Sequence, residues 1–242
     1  MHRFVSSSLL SGLVCLVAAR SMAQATNSPV GTWAVNWSGR DKALTYLTFT
    51  VTSNSMDWGG YGISEKSFGP LTINGTWDYD SKARVVGGYT ESFPTDAESG
   101  HIVVKLPGGN NFRGTAFGTN GRFGLNGEPA GAVPNIAGSN WVWKVRTRGN
   151  TFFEDDVITA STNMLGWFDL IGQGSGPDGT FTVSGALIMN SDRHVNGFTI
   201  RDFGVSGSIT SSFSGRFNVP LNKVILTGKD DDHRGVVIHA TK

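Results

Sequence analysis

The feature that most constrains the fold of this chain is an internal repeat. The segment 61–87 aligns without a gap on the segment 171–197, and the apolar residue Leu71 meets Phe181. The identical pairs are Gly62/Gly172, Gly69/Gly179, Thr72/Thr182, Gly75/Gly185, Ser81/Ser191, Val85/Val195 and Gly87/Gly197. Self-similarity at a fixed offset indicates a duplicated structural unit. We therefore expect two related halves, although the final third of each half does not align.

Within both halves, large apolar side chains recur at every second position. Trp33 and Trp37 alternate with small or polar residues in the first half, and Trp141, Trp143 and Val145 do so in the second. Further alternating runs are Leu47–Phe49–Val51, Ile102–Val104–Leu106 and Phe213–Phe217–Val219–Leu221. A period of two is typical of a strand with one buried face, and no run after the first 25 residues has helical spacing. The pattern predicts an all-β protein.

Turn residues divide these runs into short strands. Asn120-Gly121, Asn126-Gly127 and Asp178-Gly179 offer residues that accept positive φ in tight hairpins. We predict β repeats over 29–128 and 138–242, joined by a linker over 129–137, each an antiparallel meander of about eight strands. Each half could close into its own barrel, or the two could form one pseudosymmetric barrel or sandwich.

The N-terminus has the pattern of a cleavable secretory signal. A short basic start precedes the mostly apolar segment 4–19, and Met22-Ala23-Gln24-Ala25 places small residues at both positions that a signal peptidase reads. We predict cleavage after Ala25, which would remove the only cysteine, Cys15, and leave 18 basic residues against 19 acidic ones. Such a balance argues against nucleic-acid partners. We expect a bacterial protein that is secreted, periplasmic or in the cell envelope, without a transmembrane segment in the mature chain.

Gly31-Thr32-Trp33, at the start of the first strand, resembles the Gly-x-Trp opening of lipocalin and avidin barrels. That resemblance implies a tryptophan packed across the closed end of an up-and-down barrel, whose open end holds a small apolar ligand. The second half departs from the pattern, with Ser139-Asn140-Trp141 in its place. The chain also looks like secreted two-repeat bacterial β proteins without an assigned activity.

Two polar clusters are candidate sites. Lys229–Gly235 contains three carboxylates and an imidazole, but it lacks the alternating ligands of a calcium loop and is typical of a hairpin tip. Glu154-Asp155-Asp156 is acidic, but strand neighbours point to opposite faces, so we interpret it as an exposed turn or strand start. The histidines have no metal-ligand spacing and no nucleophile elbow occurs. We predict no catalytic residue, metal or cofactor.

Trp58 and Trp167 are the candidate binding residues. They occur at similar places in the two halves, and neither belongs to a clear alternating run. We hypothesise that they form a repeated surface for a ligand, with core packing as the alternative. The predicted function is a non-enzymatic exported β protein that binds a small apolar ligand, a glycan or an envelope partner. The alternatives are a structural or adhesive envelope module, an outer-membrane barrel and a hydrolase.

Overall fold

The computed structural model describes residues 28–39, 42–94, 96–119, 121–147 and 149–242. The first half contains eight strands. They are β1 (Gly31–Ser38), β2 (Ala43–Val51), β3 (Met56–Ser64), β4 (Gly69–Tyr79), β5 (Val85–Ser92), β6 (Ala97–Lys105), β7 (Phe112–Gly118) and β8 (Gly121–Pro129). Each strand pairs with the next in antiparallel orientation, and β1 pairs with β8, which closes barrel 1.

The second half repeats this arrangement as barrel 2. Its strands are β9 (Gly138–Arg146), β10 (Thr151–Ala160), β11 (Trp167–Gly176), β12 (Gly179–Met189), β13 (His194–Asp202), β14 (Ser208–Phe217), β15 (Lys223–Asp230) and β16 (Gly235–Thr241). The pairing of β16 with β9 closes the ring. The prediction of an all-β fold with two tandem eight-stranded units is confirmed, and the halves form two barrels rather than one sheet.

The alternating pattern arises because one face of each strand lines a barrel interior. Trp33, Trp37, Trp141 and Trp143 are all buried, as their parity predicted. The interiors exclude water, and burial of apolar surface is the main favourable term in folding. Because every strand has two neighbours, neither barrel leaves an open sheet edge.

Three local predictions were wrong. The buried alternation of Leu47 and Phe49 does not extend to Val51, which ends β2 with 50% of its surface exposed. The alternation after Phe213 ends at Phe217, because Val219 lies in a turn with 76% of its surface exposed. Asn126-Gly127 is not a turn but part of β8. Gly127 is needed there because a Cβ would lie 2.9 Å from the Ala34 carbonyl oxygen of the neighbouring strand.

A tryptophan near the start of each barrel anchors the segment that precedes it. The Trp33 indole donates a hydrogen bond to the Pro29 carbonyl (2.7 Å), and the Trp141 indole donates one to the Ile136 carbonyl (3.1 Å). Ile136 is itself buried. The stretch between β8 and β9 therefore packs against barrel 2 while it connects the two barrels.

The barrels pack side by side through outer faces. Leu44 and Tyr46 of β2 meet Trp167 and Ile188 of barrel 2 in a buried apolar cluster. The Tyr46 hydroxyl donates to the Met189 carbonyl at 2.8 Å. This burial raises the pKa of Tyr46. The interface is therefore a third apolar core, separate from the two barrel interiors and formed between the outer faces of the barrels.

The predicted signal segment 1–25 lies outside the described residues. Among the residues that the structure describes, no helix is both long and apolar enough to cross a bilayer. The regular helical structure in this part of the chain consists of two short 3₁₀ turns, Pro107–Gly109 and Gly204–Ser206.

Candidate functional site

A groove of about 600 Å³ crosses the outer face of barrel 2 from β10 to β13. Its floor is one row of cross-strand neighbours: Asp155 lies opposite Gln173, Gln173 opposite Thr182, and Thr182 opposite Asp202. These side chains share the outward parity of their strands, so their polar ends point to solvent. The result is a line of carboxylate, amide, hydroxyl and carboxylate groups across four strands.

Aromatic rings lie at both ends of this groove. Phe153 on β10 is 51% exposed and has the Lys144 ammonium 5.3 Å from its ring centroid. At the other end, Phe203 packs against Phe181 with the ring centroids 4.9 Å apart. A volume of this size falls within the range of small-molecule sites. The groove thus combines hydrogen-bonding groups in its floor with apolar rings at its ends.

A buried ionic layer lies on the inward face of the same strands. Glu154 and Arg201 form an ion pair at 2.5 Å, and both side chains are fully inaccessible to solvent. Arg201 also donates to the Ser211 hydroxyl at 2.9 Å. The Arg201 guanidinium lies 5.7 Å from the centroid of the Phe152 ring, which caps the layer toward the barrel end. Burial raises the pKa of Glu154, and the adjacent guanidinium opposes that shift.

Asp156 completes this layer and is its least satisfied member. Its side chain is buried, and neither carboxylate oxygen has a hydrogen-bond partner among the described residues. Burial, together with the nearby Glu154 carboxylate, raises the pKa of Asp156 to about 8, although Arg201 acts in the opposite direction. Asp156 is therefore mostly protonated at neutral pH, which leaves Arg201 with a single negative partner.

The inward position that Arg201 occupies in barrel 2 carries a residue of opposite charge in barrel 1. Glu91 of barrel 1 lies opposite Ile73, just as Arg201 of barrel 2 lies opposite Val183. The charge at this inward position is thus reversed between the two repeats.

The interior of barrel 1 is instead dominated by aromatic rings. Phe49 stacks on Trp58 with centroids 5.5 Å apart and planes inclined by 5°. Phe112 and Trp77 contact the same Phe49 ring at 5.7 and 6.1 Å. Close packing of this kind fills a barrel with its own side chains.

The two predicted binding tryptophans lie in different environments. Trp58 is 2% exposed inside barrel 1, where its indole donates to the Thr76 carbonyl. Trp167 is 8% exposed on the outer face of barrel 2, where it contacts barrel 1 and donates to Asp169. Their strand parities are opposite, so the structure does not bring them to equivalent places or to one surface.

The remaining polar clusters are internally satisfied or dispersed. In the Lys229–Gly235 hairpin, Asp230 accepts the Arg234 amide, Asp231 accepts the Thr210 amide, and Asp232 pairs with Arg234 at 3.0 Å. Over the described ranges, no three His, Cys, Asp or Glu side chains are grouped so that they could hold a metal ion.

Sequence reasoning missed the ionic layer. The expectation that Glu154-Asp155-Asp156 is an exposed turn or strand start is wrong, because the segment lies within β10 with Glu154 and Asp156 buried. The signal was present: both acids share the parity of Phe152 and Ile158, which are inward-facing. Only Asp155 points outward, into the groove.

Comparisons with known proteins give likenesses of fold alone. No family model matches the chain, and no curated protein matches it. A redesigned β-barrel, mFAP1, bound to DFHBI is similar with a TM-score of 0.38 and 14% identity, over 44% of this chain and 94% of that one. A Bacteroides fragilis NCTC 9343 protein, named provisionally as an outer membrane protein, scores 0.29 with 11% identity over 88% of this chain and 95% of its own.

The Myxococcus xanthus hemagglutinin in complex with a3,a6-mannopentaose is also similar. Its TM-score is 0.18 with 12% identity, over 87% of this chain and 99% of that chain. TM-scores in this range give no basis for assigning the ligands or activities of those proteins to this chain.

Proposed function

We propose that this protein is an exported, non-enzymatic binding protein that holds a neutral glycan in the outer groove of barrel 2. The observation that carries the proposal is the continuous polar row from Asp155 to Asp202, with aromatic rings at both ends. A sugar ring has hydroxyl groups around its edge and an apolar C–H face. Carboxylate and amide side chains match the hydroxyl groups, and exposed rings such as Phe153 match the apolar face.

Binding of a ligand inside a barrel is less favoured than binding in the outer groove. The inward face of barrel 2 near the groove is occupied by side chains: a Cβ on Gly176 would lie 2.4 Å from the Phe152 ring, and one on Gly174 would lie 2.5 Å from the Phe181 ring. A small apolar molecule would therefore have to displace these rings. The groove offers its polar groups without any rearrangement.

A hydrolase and an outer-membrane barrel also agree poorly with this geometry. Asp155 and Asp202 are separated by three strand spacings, about 14 Å, whereas paired glycosidase carboxylates are roughly 5 to 10 Å apart. Most of the large apolar side chains of both barrels point inward, and the main outward group is buried between the barrels. Transmembrane barrels present them to lipid instead.

The groove contains phenylalanine and no tryptophan, so binding is best measured by calorimetry after a glycan-array screen of the purified protein. We expect Phe153→Ala to weaken binding of the array hit about tenfold, the value of one aromatic contact. Asp155→Asn should weaken it as well. The matched control is Ile225→Ala, a similarly exposed outer residue on β15. The proposal fails if no neutral glycan binds, or if all three variants bind like the wild type.

Export is tested separately. We propose cleavage after Ala25 because of the small residues at 23 and 25. Fractionation of cells that express the full chain should then yield, outside the cytoplasm, a product whose first residue is Thr26. A protein that stays cytoplasmic with its first 25 residues intact would contradict export, whatever the glycan result.

We also propose that each barrel is related to lipocalin- and avidin-type barrels. The support is the Gly31-Thr32-Trp33 opening, together with the buried position of Trp33 and its bond to the segment before β1.

A further inference from the structure

A second groove, of about 320 Å³, lies on the outer face of barrel 1 and is lined by cations. Arg84 precedes β5, Lys105 ends β6, Arg113 begins β7 and Arg122 begins β8. None of the described residues that line this groove is acidic. We call it the cationic groove.

Two of the cations in this groove face each other across neighbouring strands. Lys105 lies directly opposite Arg113 in the β6–β7 ladder, an arrangement that is destabilising for like charges. Arg84 is paired with Asp80 at 2.6 Å. Within the described part of the chain, Lys105, Arg113 and Arg122 form no ion pair. Three positive side chains thus converge on one concavity without a counter-charge from this chain.

An aromatic and polar surface accompanies the cations. Phe117 stacks on His101 with centroids 4.8 Å apart and planes inclined by 14°. The Arg122 guanidinium lies 5.6 Å from the centroid of the Phe117 ring. The Thr115 hydroxyl faces the groove beside Arg122, at 3.5 Å from its terminal nitrogen. The groove can therefore contact both an anionic group and the ring that carries it.

We infer that the cationic groove binds an anionic polysaccharide, through a sulfate or carboxylate group that enters between Lys105, Arg113 and Arg122. Charge-assisted hydrogen bonds from Arg and Lys would compensate the repulsion between Lys105 and Arg113. The exposed Phe117 ring, 36% accessible, supplies an apolar contact for the adjoining sugar. This site is on the other barrel from the proposed neutral-glycan groove and does not depend on it.

The shape and charge of the protein favour this partner over other polyanions. A membrane surface is flat, whereas these cations line a concavity that admits one group carried on a chain. Nucleic acids are bound by extended basic surfaces with several stacking rings. Here the formal net charge is only +1, and a single phenylalanine lines the groove.

The test measures binding of fluorescein-labelled dextran sulfate to the purified protein by fluorescence anisotropy, with neutral dextran as the matched polymer. We expect binding of dextran sulfate only, weakened as ionic strength rises from about 0.05 M to about 0.5 M. The double variant Lys105→Gln/Arg113→Gln should bind at least about tenfold more weakly. It removes a repulsive pair, so it should keep its fold, which circular dichroism checks.

The charge-matched control is Lys223→Gln/Lys229→Gln, two exposed lysines on β15 of barrel 2. It should bind within about twofold of the wild type, because these side chains lie outside the groove. Phe153→Ala should also leave dextran sulfate binding unchanged, which separates this result from the neutral-glycan proposal. Equal losses in both double variants would overturn the inference. So would equal binding of neutral dextran, or tighter binding of phosphatidylserine vesicles or single-stranded DNA.

Discussion

Asp156 makes the stability of barrel 2 depend on pH in a direction that can be measured. Its carboxyl is buried among Glu154 and Arg201 without a hydrogen-bond donor from the described residues. Replacing it by asparagine keeps the volume of the side chain and removes its titration. We expect Asp156→Asn to be more stable than the wild type at alkaline pH and nearly equal to it in acid.

The size of the effect follows from the pKa. In the folded barrel the pKa of Asp156 is about 8, against 3.8 for an exposed aspartate. The folded state thus binds the proton more tightly, so the stability is greatest below the unfolded pKa and falls as pH rises. Each pH unit between these values costs about 1.4 kcal/mol, or about 4 kcal/mol in total between pH 4 and pH 7.

Differential scanning calorimetry between about pH 5 and about pH 8 measures this loss. For a chain of this size, about 1 kcal/mol shifts Tm by roughly 2 to 4 °C, so the wild type should lose roughly 8 to 16 °C over three units relative to Asp156→Asn. The matched control is Asp155→Asn, the neighbour on β10 whose side chain is exposed. Its pH profile should follow that of the wild type.

Parallel pH profiles for the wild type and Asp156→Asn would refute the reasoning. They would mean that the carboxyl is ionised in the folded barrel and has a donor that stabilises its charge. A flatter profile in Asp155→Asn than in Asp156→Asn would refute it equally, because it would assign the titration to the outer face.

Three further outcomes are expected. Tyr46→Phe leaves the buried Met189 carbonyl without its hydrogen-bond donor from barrel 1. It should lower the free energy of unfolding, measured in urea, by about 1 to 2 kcal/mol, and a change near zero would contradict this. Gly166→Ala should lower Tm by several degrees, because φ is +69° there and a Cβ would lie 2.7 Å from the Tyr46 ring; an unchanged Tm would contradict this contact. Lys105→Gln should raise the free energy of unfolding by a few tenths of a kcal/mol by removing the repulsion from Arg113, and a decrease would argue against it.

The repeat and the strand parity were sufficient to predict the two eight-stranded units. Burial on one face imposes a period of two on residues such as Trp33 and Trp141, and this pattern is local to each strand. Closure of each half was left open in the sequence, because it depends on the pairing of β1 with β8 and of β9 with β16 across roughly a hundred residues.

The sites were less predictable because they depend on contacts between distant elements. Trp167 points outward from its strand, which made it a candidate for an exposed binding residue. In the structure barrel 1 covers it, so it is part of the interface between the barrels. The polar row of the groove takes one outward residue from each of four strands, and no short motif contains two of them. The ionic layer combines Glu154 with Arg201, 47 positions apart, and only the parity of Glu154 and Asp156 hinted at it.

The contact between the barrels joins two different faces, so it is heterologous. Barrel 1 contributes Ala34 of β1 and the apolar outer face of β2 and β3, and barrel 2 contributes Trp167 of β11 and the outer face of β12 and β13. A heterologous contact between repeated units can continue indefinitely into a filament. Here the counterpart face of barrel 1 is polar, with Thr72, Asn74 and Thr76 on β4, whereas that of barrel 2 exposes the apolar pair Val157 and Ile171. Barrel 1 therefore offers no second apolar face of the kind that barrel 2 uses in this contact, and a further unit could not add on that side in the same way.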